Sequence, residues 1–305
     1  MLALDLGVFH KKTHSVSVKE AAIWSAVWVA ISLLFALGMA IFSTGESAVL
    51  FLTGYVIEKS LSVDNIFVFV IIFKALRIPD LYQHRVLFWG VLGAIILRAV
   101  MILAGTALLA NFHWLIYVFG GFLVYTGIKL FVDFMKGEDE GAAQDSWMIR
   151  KVKALIRTSK ELDGQKFFTI ENGKRLATPL FLTLILVELS DVVFAVDSIP
   201  AIFAVTLDPF IVFTSNIFAI LGLRSLYFLV GPMVDKFHYL KVGLAVVLAY
   251  VGLKMILADA FKIPPAISLL IIVAILGVSI WWSMRAVRRA EKAAAKAGEP
   301  GGNAG

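Results

Sequence analysis

Glu58, Asp64, Glu188, Asp191 and Asp197 all fall inside long apolar runs of the chain. A charged side chain at the middle of a bilayer costs about 2.5–3.5 kcal/mol on insertion scales. Five together would cost roughly 12–18 kcal/mol if nothing compensated them. A whole domain is typically stable by only about 5–15 kcal/mol. These carboxylates must therefore be paired, protonated, hydrated or bound to a cation. Arg98 and Arg224, also within apolar runs, are the internal counter-ions in reach. Two arginines leave three negative charges over, enough for protons or a divalent ion. Asn65, Ser198 and Asn216 stand close by in sequence or in neighbouring runs and offer neutral oxygens. Such an all-oxygen set suits a hard cation, Mg²⁺, Ca²⁺ or Mn²⁺. The chain has no cysteine, and neither acidic run holds a histidine, which disfavours copper and zinc. The metal on this reading is cargo; no cofactor is expected.

At 100° per residue, Glu58 and Asp64 lie about 120° apart around a straight helix and about 9 Å apart along it. Glu188 and Asp191 share a face; Asp197 falls on another. Convergence of all five would need a broken or kinked helix. Ser60 and Ser62 interrupt the first acidic run, and Ser190, Ser198 and Pro200 the second. Proline removes a backbone donor and bends a helix, and unwound carbonyls would be further ligands.

The elements that carry these residues are legible from hydrophobic run lengths. Of the 305 residues 60% are hydrophobic and 16% charged, against about 45–50% and 25% in soluble domains. Runs near the roughly 20 residues that span a bilayer fall at about 21–43, 47–74, 86–109, 112–135, 179–206, 209–232, 239–259 and 265–284. The expected class is all-α, a polytopic transmembrane helix bundle embedded in lipid. The chain divides into an N-terminal segment 1–20, a first membrane half 21–135, a basic loop 136–178, a second half 179–284 and a disordered basic tail 285–305. Within the loop, Trp147, Val152 and Leu155 set against Arg150, Lys151, Lys153 and Arg157 predict a basic helix on the membrane surface; a plain solvated loop is the alternative. Asn172-Gly173 predicts a small hairpin. Lys and Arg cluster after the second, fourth, sixth and eighth runs. The positive-inside rule puts those segments, and the C-terminus, in the cytoplasm. The net charge of +6 is spread over loops rather than gathered on one folded face, which speaks against nucleic-acid binding. Protein partners are left unspecified by the sequence, although on a scaffold reading the basic 136–178 loop would recruit one.

Two halves of the chain repeat. Glu58…Asp64-Asn65-Ile66 matches Asp191…Asp197-Ser198-Ile199, Leu97-Arg98-Ala99 matches Leu223-Arg224-Ser225, and Tyr125-Thr126-Gly127-Ile128-Lys129 matches Tyr250-Val251-Gly252-Leu253-Lys254. The offsets are 133, 126 and 125 residues. Three spans per copy force the second copy to enter from the opposite side. That is the inverted-repeat plan of secondary transporters, whose sites lie near the midplane between the copies.

No H-E-x-x-H, G-x-S-x-G or P-loop occurs, so no enzyme is expected. Two further readings stay open: a membrane scaffold whose buried acids are structural, and an intramembrane hydrolase with two aspartates sharing a proton. The runs YVIEKSLSVDNIFVF, LGAIILRAVMI, VELSDVVFAVDSIPAIFAVT and TSNIFAILGLRSLYF resemble the TerC/Alx family of membrane proteins, most closely its Alx branch. The resemblance implies a manganese exporter of the bacterial inner membrane. It maps acidic metal-binding residues onto Glu58, Asp64, Glu188, Asp191 and Asp197. It also implies a further N-terminal spanning helix, of which only MLALDLGV would be present. The best expectation is a divalent-cation exporter, Mn²⁺ first, working by alternating access around these carboxylates.

Overall fold

The computed structural model describes residues 17–136, 149–159, 161–171, 173–231, 239–261 and 263–297, with side chains to residue 289. The readings made on residues 1–16, on Trp147 and on Asn172 lie outside them. The helices are α1 (Val18–Phe42), α2 (Gly45–Ala75), α3 (Asp80–Asn111), α4 (Leu115–Lys136), α5 (Pro179–Phe203), α6 (Pro209–Leu221), α7 (Leu223–Val230), α8 (Leu240–Ile256) and α9 (Pro265–Ala297). An antiparallel hairpin, β1 (Phe168–Glu171) and β2 (Lys174–Ala177), precedes α5. The protein is an all-α polytopic membrane protein. Among the described residues five helices are long and apolar enough to cross a bilayer, six if the bent pair α6–α7 counts as one span. α2 and α8 fall outside that criterion: α2 carries Glu58, Lys59 and Asp64, and α8 has 17 residues.

Local chemistry sets the helix starts. Ser17 accepts a hydrogen bond from the Glu20 amide, Thr44 from that of Ser47, and Asp208 from those of Phe210 and Ile211. Each satisfies donors that the first helical turn leaves orphaned. Pro179 and Pro209 stand in the first turns of α5 and α6, where no donor is missed.

The second and fifth spans are the continuous helices α2 and α5, so neither has the break that convergence of all five acids would need. Their serines do not open the backbone. Ser60, Ser62 and Ser190 donate to the carbonyls four residues back, of Val56, Glu58 and Leu186, and so satisfy themselves inside an intact helix. Pro200 sits in the last turn of α5, where little helix follows. The break lies instead in the sixth span, at Gly222, where α6 and α7 meet at 42°. One expectation, on the tail, needs correction. α9 runs to Ala297, so 285–297, expected to be disordered, is helical; its Ala, Arg, Lys and Glu are strong helix formers.

The loop differs in one respect. A helical stretch over 149–155 docks on the bundle rather than lying free on a surface. Val152 is buried with Val68 and Ile72 of α2 and Leu182 and Leu186 of α5, while Leu155 stays exposed. The hairpin is present, with Gly173 at φ +72° in its turn.

α4 and α8 pack in antiparallel contact through glycines. A Cβ on Gly127 would lie 2.7 Å from Ala245 O and 2.8 Å from Ala249 N. A Cβ on Gly252 would lie 2.6 Å from Gly120 O and 2.8 Å from Val124 N. Shifting the first residue set by the 125-residue offset of the sequence repeat interchanges these contacts. Gly121, beside Gly120, meets nothing within 4 Å. Replacing Gly127 or Gly252 by Leu should force the two backbones apart and cost about 1–3 kcal/mol. The expected result is a lower melting midpoint in detergent for each variant, and no change for Gly121→Leu.

Candidate functional site

α2 runs through the middle of the bundle, against α1, α5, α6 and α9. Glu58 on α2 is fully buried, as are Arg98 on α3, Asp191 and Ser198 on α5 and Asn216 on α6. These five side chains form one cluster. The Arg98 guanidinium is its hub. Nε donates to Asp191 Oδ2 at 3.0 Å and Nη2 to Asp191 Oδ1 at 2.6 Å, a two-pronged carboxylate grip. Nη1 donates to Glu58 Oε1, and lies 3.4 Å from Ser198 Oγ and 3.3 Å from Asn216 Oδ1. The Asn216 amide donates to Glu58 Oε2 at 3.2 Å. Oxygens from three helices thus face a cation supplied by a fourth.

The geometry separates the expected ligands into groups. Glu58 and Asp191 meet at Arg98. Asp64 and Asp197, each half-buried, lie a turn or more away along their helices, as the 120° separation read from the sequence requires. Asp197 feels the charges of Asp64 and of Lys129 on α4, and Thr126 Oγ1 donates to its Oδ1 at 3.4 Å. Glu188 shares a face with Asp191, as expected, and both turn toward α3. Its carboxylate fills the space that a side chain at Gly93 would need: a Cβ there would lie 1.9 Å from Glu188 Oε1. Glu188 Oε2 is buried without a hydrogen-bond partner. Asn65 is buried beside Asp64, and no hydrogen bond joins it to the Arg98 cluster. Arg224 is buried at the start of α7. Among the described residues no three carboxylates or histidines are grouped closely enough to hold a metal together.

Sequence reasoning passed over two site residues. Lys59 donates from Nζ to Ala219 O on α6 at 3.2 Å. It stands next to Glu58 in an apolar run, and the insertion cost that marked the acids marks it equally. Thr126 was visible only as part of the repeat. Lys254, near the end of α8, donates to Ser268 Oγ on α9 at 3.2 Å.

Removing one member of a buried ion pair costs about 3–5 kcal/mol, because the other is left uncompensated. Arg98→Met should therefore destabilise the protein strongly. The triple variant Arg98→Met, Glu58→Gln, Asp191→Asn should recover much of that loss. Thermal unfolding in detergent without divalent ions reads both.

The model of the integral membrane protein TerC family matches residues 43–292. A Myxococcus xanthus protein named "Uncharacterized membrane protein STKORF319" is 60% identical over 292 residues, 95% of this chain and 90% of that one. A Photorhabdus laumondii protein named "Putative membrane-bound redox modulator Alx" is 50% identical over 289 residues, 92% of this chain and 89% of its own. Its Escherichia coli K12 namesake is 49% identical over 287 residues, 90% of this chain and 88% of that one. No solved structure matches the chain. With buried charge at the heart of an apolar bundle and a family match over most of its length, the chain belongs to the integral membrane protein TerC family.

Proposed function

We propose that this protein exports a hard divalent cation, Mn²⁺ before others, through the interface between its two halves. The observation that carries the reading is the ring of oxygens around Arg98. Glu58, Asp191, Ser198 and Asn216 all turn toward one guanidinium. Two carboxylates with two neutral oxygens are a donor set for a hard +2 ion. Such an ion would balance both carboxylates, whereas Arg98 leaves one negative charge over. In this conformation Arg98 is the resident cation, and the transported ion exchanges with it.

Other features support the same reading. Asp64 and Asp197, less buried and next along the two acidic helices, form a staging pair from which an ion reaches the cage. Glu188 contributes a free carboxylate oxygen. The exchange of glycine contacts between α4 and α8 under the repeat offset agrees with inverted halves, and hence with alternating access. Protons compete with the ion for the same oxygens, so proton uptake would favour release. The basic loops and tail support a bacterial inner-membrane protein with its C-terminus on the cytoplasmic side. Manganese in particular rests on the family resemblance.

Relatives carry a name that speaks of redox modulation. This chain has no cysteine, so it performs no thiol–disulfide exchange of its own. A redox effect would come through the ion it moves, since manganese changes oxidation state. The scaffold reading has one observation in its favour, that the Arg98 guanidinium already hydrogen-bonds both carboxylates, Glu58 and Asp191.

Reconstituted vesicles loaded with Mn²⁺ decide between the two. Wild-type protein should release the ion, and Glu58→Gln, Asp191→Asn and Asp197→Asn should each slow release at least tenfold while remaining folded. Wild-type release equalled by all three variants would assign the acids to structure alone.

A further inference from the structure

The broken sixth span meets a further cation, the half-buried Lys59 of α2, that the exchange at Arg98 does not use. α6 ends at Leu221 and α7 starts at Leu223 at an angle of 42°. The last four carbonyls of a helix have no partner within it, and they carry the negative end of the helix dipole. A helix end inside a bundle must find a donor for them. One of them, Ala219 O, finds its donor on α2: Lys59 Nζ hydrogen-bonds it at 3.2 Å. The same ammonium lies only 2.7 Å from where a Cβ on Gly222 would stand, and the Trp28 Cβ of α1 lies 3.2 Å from that point. Lys59 and Trp28 therefore close over the break from two other helices. Gly222 is the residue that lets them approach, since any side chain there would meet the ammonium first.

We propose that the C-terminal end of α6 is a site for a compact monovalent cation, filled here by the tethered ammonium of Lys59, and that its occupancy holds the span bent at Gly222. Broken spans of transporters direct such carbonyl ends at cations; this chain carries the cation on a neighbouring helix. Removal of Lys59 empties the site. The bend then relaxes, and a small free cation such as methylammonium takes the place and restores it. The site is separate from the Arg98 cage: Glu58 and Lys59 are adjacent in sequence but point to different partners, Arg98 and Ala219.

The test reads conformation rather than transport, so its outcome is independent of which ion the protein carries. The chain has no cysteine, so spin labels at Trp89→Cys on α3 and Leu229→Cys on α7 need no further background changes. α7 spans eight residues, about 12 Å of helix, and straightening a bend of this size would swing its far end by up to about 8 Å. Wild-type protein and Lys59→Arg should give one distance population. Lys59→Ala should add a second, displaced by several ångströms, and methylammonium should remove it. Gly222→Ala, which crowds the ammonium while keeping its charge, should show the same second population should Lys59→Ala not fold. A single unchanged population in Lys59→Ala or in Gly222→Ala would overturn the proposal. So would a second population in Lys59→Ala that methylammonium leaves in place.

Discussion

The bundle depends on one constraint: charge buried among apolar helices must be answered by charge brought from elsewhere in the fold. Arg98 answers two carboxylates from two different helices. It fixes the distance between α2, α3 and α5, and through Asn216 the approach of α6. Its guanidinium is planar and offers five donors, which is how one side chain grips Asp191 with two nitrogens and still reaches Glu58, Ser198 and Asn216 with the third. A lysine, with a single point of charge, could not satisfy that set. The apolar packing around the cage, from Ile57 to Val212 and Ile199, excludes water and makes each unanswered charge there expensive.

The same need appears at the end of α6, where the backbone carbonyl of Ala219 rather than a carboxylate is answered by Lys59. Both cations reach their sites across helix boundaries, so both couple the position of one helix to another. Displacing either cation would change which helices are held together.

Much of this was legible in the sequence, and the limits are physical. Helix positions followed from apolar run length, and the hairpin from Asn172-Gly173 between β-prone runs. The angular separation of Glu58 and Asp64 correctly says that a straight helix keeps them apart. Convergence would need a break, and α2 is continuous. A serine in an apolar run reads equally as a break or as a hydroxyl bonded four residues back, and only coordinates distinguish the two. The real break at Gly222 carries no proline and sits in an unremarkable Leu-Gly-Leu. Arg98 was identified as a counter-ion by cost alone, but its choice of Glu58 and Asp191 depends on how α3 lies between α2 and α5, which no local pattern encodes. Lys59 beside Glu58 is as costly in an apolar run as the acids, but its partner, a backbone carbonyl on α6, has no signature in sequence.

The central claim is that Arg98 and a divalent cation compete for the same oxygens. Mn²⁺ binding to the purified protein, followed by the loss of the free-ion electron paramagnetic resonance signal, tests it most directly. Competition predicts that Arg98→Gln binds Mn²⁺ at least tenfold more tightly than wild type, and that adding Glu58→Gln to it abolishes the gain. Equal affinity in wild type and a folded Arg98→Gln protein would contradict the account.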